Sequence, residues 1–137
     1  MNVLAHEVKR VSPNEETLPE IGWKLSVKTL CQNTVYDNKE QKLGNLTDFI
    51  VELPSGELSF AVMSNGGFWG IGEKLLPIPW RLLEIDKKRK CFVLPLSKER
   101  LENAPQFDND SWPSLEDPLW AATIHNFYYT DQLSLDE

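Results

Sequence analysis

Four glycines fall within seven residues, Gly66 to Gly72, inside the run FAVMSNGGFWGIGEKLLPIPWRLL that spans residues 60–83. An alternating strand ends at Asn65-Gly66-Gly67. Two aromatics follow, then two more glycines, then an apolar strand closed by Pro79-Trp80. Glycines let a chain reverse and cross where a Cβ would clash. The run therefore predicts a tightly folded small β structure. Glycine-rich loops also bind phosphate, but the order here is G-G-x-x-G-x-G, which matches neither the dinucleotide nor the P-loop spacing. Leu75 to Trp80 reads as a strand with two prolines, so no helix amino terminus follows to complete an anion site.

Strand signals recur on both sides of this run. Residues 22–30, GWKLSVKTL, alternate apolar and polar and predict a half-buried strand. Val35-Tyr36 leads into the polar turn 37–41, and Lys42-Leu43-Gly44 opens the next strand. The clearest hairpin pairs residues 46–53 with 57–64 around Pro54-Ser55-Gly56. Its period-2 pattern puts Phe49, Val51, Leu53, Leu58, Phe60 and Val62 on one face. Trp80-Arg81-Leu82-Leu83 predicts a single helical turn. A second hairpin pairs 83–86 with 90–96 around Lys87-Lys88-Arg89. Short strands at this spacing predict a small antiparallel barrel.

The carboxy-terminal third changes character. Ser97 can cap a short helix, KERLENA, that Pro105 stops. Asp117-Pro118 reads as a helix cap followed by proline at the first helical position. From there Leu119, Trp120, Ala122, Ile124, Phe127 and Tyr129 give a rough helical period. A helix this short needs tertiary contacts, so it is expected to lie against the barrel.

Charge is unevenly placed on this 137-residue chain of net charge −7. Of 21 acids, seven lie in residues 106–137, where there is no Lys or Arg; the first 105 residues balance 14 acids against 14 bases. Nucleic acid needs clustered positive charge, so a nucleic-acid partner is not expected. The basic run Lys87-Lys88-Arg89-Lys90 reads as a solvated hairpin tip. Cys31 and Cys91 lack a C-x-x-C partner and read as two buried thiols in a reducing compartment. Residues 1–20 have neither a leader pattern nor an apolar span, and no window is long enough to cross a membrane. The chain is expected to be cytoplasmic.

No constellation for catalysis stands out. Asp108-Asn109-Asp110 resembles the start of a calcium loop, but Pro113 and Leu119 occupy the places where that loop needs Gly and Glu. His6 and His125 have no second ligand at metal spacing, and no G-x-S-x-G is present. The expectation is no catalytic residue, no metal and no cofactor. Phe68, Trp69 and Ile71 are apolar residues in a loop, which either seal the barrel or meet a partner. With Trp120 and Tyr128 of the last helix they make the candidate interaction patch.

The segment Lys42-Leu43-Gly44 … Asp48 … Pro54-Ser55-Gly56 … Ala61-Val62 … Gly66-Gly67-Phe68-Trp69-Gly70-Ile71-Gly72-Glu73-Lys74 … Ile78-Pro79-Trp80 closely resembles the PRC-barrel family. That family is named after the H subunit of the purple bacterial photosynthetic reaction centre. A version forms the carboxy-terminal domain of the ribosome-maturation factor RimM. The resemblance covers roughly residues 22–96. It implies a small, highly bent antiparallel β-barrel with short carboxy-terminal helices packed on it. It divides the chain into an arm over 1–21, the barrel over 22–96 and an acidic helical extension over 97–137. The implied role is binding rather than catalysis: a protein-interaction or assembly module, self-associating as a homo-oligomer or docking on a larger assembly. Association with a photosynthetic or other membrane complex, or with ribosome assembly through protein contacts, are the alternatives it carries. Residues 1–21 cannot supply the membrane helix of the H subunit, and there is no room for RimM's RNA-associated domain.

Overall fold

A computed structural model describes residues 24–31, 33–66, 73–86, 88, 89 and 91–130. The arm expected over residues 1–21 lies outside the described residues. Six strands form one sheet: β1 Thr34–Tyr36, β2 Lys42–Val51, β3 Leu58–Ser64, β4 Leu75–Pro79, β5 Glu84–Asp86 and β6 Cys91–Val93. Their spatial order is β4-β3-β2-β1-β6-β5. The fold is mainly β, with the carboxy-terminal helices added to this sheet.

Two features correct the expectation of an antiparallel barrel. First, β1 pairs β6 in parallel, Val35 opposite Phe92 and Tyr36 opposite Val93. The tight β5–β6 hairpin sets the direction of β6 before it reaches the free side of β1. Second, the sheet is open: β4 and β5 stand at its two ends, and no ladder joins them among the described residues.

The ten-residue β2 is bent by irregular pairing. Its register shifts between Leu46 and Asp48 and again between Ile50 and Val51, and a third shift separates Val35 from Tyr36 on β1. Each inserted residue kinks a strand and increases its twist. The first shift explains why Leu46 and Phe49, three apart, are both buried while Thr47 and Asp48 between them are exposed. Beyond the second shift the hairpin runs past the core. Val51 is exposed, and Leu53 is 83% exposed, which corrects their expected place on the inner face. Gly44 sits where β2 crosses β3. A Cβ there would strike the Ser64 carbonyl oxygen, so only glycine allows this approach.

Residues 24–30, the described part of the strand expected over 22–30, do not form it. Ser26 accepts a hydrogen bond from the Thr29 amide at 3.1 Å, and helix α1 runs over Val27–Leu30. Local capping chemistry overrides the alternation, because a Ser side chain satisfies an otherwise orphan helix donor. The expected helical turn after β4 is a 3-10 turn at Trp80–Leu82.

One core joins the sheet to the carboxy-terminal segments. Val35, Leu43, Leu46, Phe60, Met63, Leu76, Ile78 and Phe92 pack with Leu101, Ala104, Ile124 and Tyr128. Each large side chain buried here contributes about 1.5–3 kcal/mol. Helix α2, Lys98–Leu101, starts at Ser97, whose Oγ accepts from the Arg100 amide at 3.2 Å. Helix α3, Pro118–His125, starts at Asp117, whose Oδ1 accepts from the Leu119 amide at 3.0 Å. It widens into a π turn over Asn126–Thr130. Among the described residues no helix is long and apolar enough to cross a membrane.

The two ends of the sheet are built differently. All five residues of β4 are buried. The Leu75 amide donates outward to the Phe107 carbonyl, and the Phe107 amide returns a bond to Leu75, both at 2.9 Å. Residues two apart on a strand share a direction, so Pro77 and Pro79 turn their missing N–H groups to that same outer side. At the other end, Glu84 and Ile85 of β5 are exposed.

Candidate interaction groove

An open groove of about 510 Å³ lies between the start of β3, the end of β4 and the last helix. Leu58, Trp80 and Leu82 give it an apolar floor, with Tyr129 and His125 as one wall and Arg81 and Glu57 as its charged groups. Each wall rests on the core. Trp80 meets Phe49 edge-on, with ring centroids 5.8 Å apart, and lies 6.2 Å from Phe92. His125 lies 5.7 Å from the buried Phe60 ring and stacks on Tyr129 at 5.3 Å with an interplanar angle of 18°. His125 and Tyr129 are four residues apart, so the helix presents them on one face. Tyr129 is 38% exposed. No carboxylate pairs with Arg81 among the described residues.

The residues singled out in the sequence fall elsewhere. Phe68, Trp69 and Ile71 lie outside the described residues. What is described is the neck of their loop. Ser64 Oγ donates to Glu73 Oε2 at 2.7 Å and accepts from the Gly66 amide at 3.0 Å. The buried Asn65 accepts from the Lys74 amide at 2.9 Å, and Lys74 Nζ bonds Asp108 at 2.8 Å. Gly66 has φ of 64°, the left-handed region that glycine adopts freely. Trp120 is half-buried, edge-on to Phe60 at 5.1 Å, just inside the groove wall. Tyr128 corrects the expected patch: it is fully buried, so it builds the core rather than a surface. Its hydroxyl has no hydrogen-bond partner among the described residues, and burial pushes its pKa well above the ordinary tyrosine value.

Sequence reading missed His125 and Tyr129 as a pair, and Arg81 and Leu58 as their neighbours. The i, i+4 spacing of His125 and Tyr129 was the one available signal. Nothing in the sequence placed β3 and the last helix side by side.

Other constellations are weaker. A second groove of about 450 Å³ is lined by Asp37, Lys39, Gln41, Pro95, Ser97 and Glu99 among others, without an aromatic anchor. The Asp37 carboxylate already accepts the Lys39 and Gln41 amides at 2.8 Å each. Burial raises the pKa of both thiols, with Asp48 adding to Cys31 and Asp86 to Cys91. Such thiols stay protonated and react poorly. Among the described residues no three His, Cys, Asp or Glu side chains gather as metal ligands.

The PRC-barrel domain model matches residues 24–101, more than half of the chain. The chain belongs to the PRC-barrel domain family. No curated protein matches the sequence. The PRC-barrel match ends at Leu101, so the groove is composite. Its floor, from Leu58 and Trp80 to Leu82, lies inside the matched span. His125 and Tyr129 come from the segment after it.

Proposed function

We propose that this PRC-barrel protein is a non-enzymatic, cytoplasmic interaction module that docks a protein partner, or another copy of itself, in the groove beside the last helix. The observation that carries this reading is the His125–Tyr129 stack beside apolar lining residues, with Phe60 packed at a tilt against His125. Aromatic side chains held rigid by a core lose little freedom on binding, which makes them good anchors. A preformed, mostly apolar concavity with few charged groups suits a peptide segment better than a reaction centre.

The test is a comparative pull-down from the native host. Wild type is set against a Tyr129→Ala, Leu58→Asp variant whose circular dichroism shows a retained fold. Partners, or self-association in light scattering, should be lost in the variant. Identical partners with both proteins would overturn the groove assignment. A strict monomer that retains nothing would overturn the module reading.

A further inference from the structure

We infer that the groove accepts a segment of a partner protein that carries both apolar side chains and carboxylates. This rests on the groove being the docking site. The argument is charge complementarity set against shape. Leu58, Trp80 and Leu82 supply apolar lining for a partner's apolar side chains. Arg81 also lines the groove, exposed and without a carboxylate partner among the described residues. The exposed His125 ring, with Phe60 and Tyr129 against it, adds a second nitrogen-bearing side chain. Glu57 at the hairpin end is the groove's one carboxylate.

An unpaired guanidinium beside apolar surface is a defined recognition element. Its planar fork of donors fits a carboxylate bidentately, and its stem covers apolar surface. Two other described cations are held in ion pairs. Lys74 is paired with Asp108, and Arg89 with Asp86 and Glu40. Arg81 is the cation left at the edge of a concavity with aromatic walls. The family span supplies Arg81 and the floor, whereas the following segment supplies His125 and Tyr129. Charge selectivity therefore comes from Arg81 inside the matched domain, and the aromatic anchor from residues beyond it.

The experiment uses two fluorescein-labelled peptides on the full chain: GSDLDLDSG and its counterpart GSKLKLKSG. The aspartate peptide should bind about tenfold more tightly than the lysine peptide. Raising the salt from roughly 50 mM to roughly 0.5 M should narrow that gap. Arg81→Gln should lose about fivefold of the aspartate peptide's affinity, as for a partly exposed charge pair. Arg81→Glu should invert the preference, and Glu57→Gln should tighten the aspartate peptide. Tyr129→Ala should weaken both peptides alike. Equal binding of both peptides, with Tyr129 still required, would overturn the charge assignment and leave the docking reading standing. Binding that ignores both Arg81 and Tyr129, or no binding at all, would overturn both.

Discussion

The two ends of the sheet solve one problem in opposite ways. A free strand edge displays unpaired N–H and C=O groups that invite another strand. At β4 the edge is closed three times over. Phe107 bonds Leu75 in both directions, Pro77 and Pro79 remove outward donors, and all five residues are buried. At β5 there is no such cover. The strand is three residues long, Ile85 is 47% exposed, and the adjoining turn is held by Asp86 with Arg89. The difference teaches where the stability sits. The β2–β3–β4 half shares its core with the carboxy-terminal helices, and the groove forms on that side. Val35 of β1 and Phe92 of β6 belong to that same core, and only β5 at the far end relies on a short strand and exposed charge.

The largest test sets one end of the sheet against the other. Leu76→Ala should cost about 2–5 kcal/mol by urea unfolding, because Leu76 is fully buried in the shared core. Ile85→Ala should cost less than about 1 kcal/mol. Equal losses would erase the contrast.

Next in size is Phe107→Pro, which removes the amide donated to Leu75. It should cost about 1–3 kcal/mol by urea unfolding, because the Leu75 carbonyl is left without its donor. Phe107→Ala, which keeps the amide and so the bridge, should cost less. If both variants behave alike, the bridge is not what closes the edge.

Tyr128→Phe probes the helical cover itself. Removing a buried hydroxyl that lacks a partner should stabilise the protein by about 1 kcal/mol, read from the unfolding midpoint. A loss instead would show that the hydroxyl is bonded and that the cover is more than apolar contact.

The smallest effect belongs to the open edge. The Arg89 amide, followed by the Arg89 guanidinium, lowers the Asp86 pKa. A lowered carboxylate pKa adds stability above the ordinary Asp value, and that stability disappears as pH falls through the lowered one. Asp86→Asn should therefore be slightly less stable than wild type at about pH 7, with the gap closing below about pH 4. A gap that persists in strong acid would show that the carboxylate charge is not the cause.

Much of this was legible along the chain because its causes are local. Ser97 and Asp117 cap helices through their own neighbours' amides, and Pro118 takes the position that needs no amide. The hairpin around Pro54-Ser55-Gly56 follows from turn chemistry, with Gly56 at φ 81°. The first helix was misread because alternation at 22–30 and the Ser26 cap gave conflicting local signals. The inner face of β2 was misread because one inserted residue reverses every side chain after it.

The groove was less legible still. Leu58, Arg81 and Tyr129 are far apart in the chain, and each reads alone as an ordinary β, turn or helix residue. Trp120 and Tyr128 looked like candidate contacts because both are aromatic on the last helix. Their burial depends on which helical face meets β3 and β4.

By itself the sequence determined the family, most of the strands and their spacing, the Ser97 and Asp117 caps and the turns, since these rest on contacts within a few residues. Only the tertiary structure decided that β6 lies parallel to β1, that the sheet's ends differ, and that Tyr128 turns inward while Tyr129 stays out. These outcomes depend on which distant surfaces exclude water together, and burial is a property of the assembled chain rather than of any residue's neighbours along it.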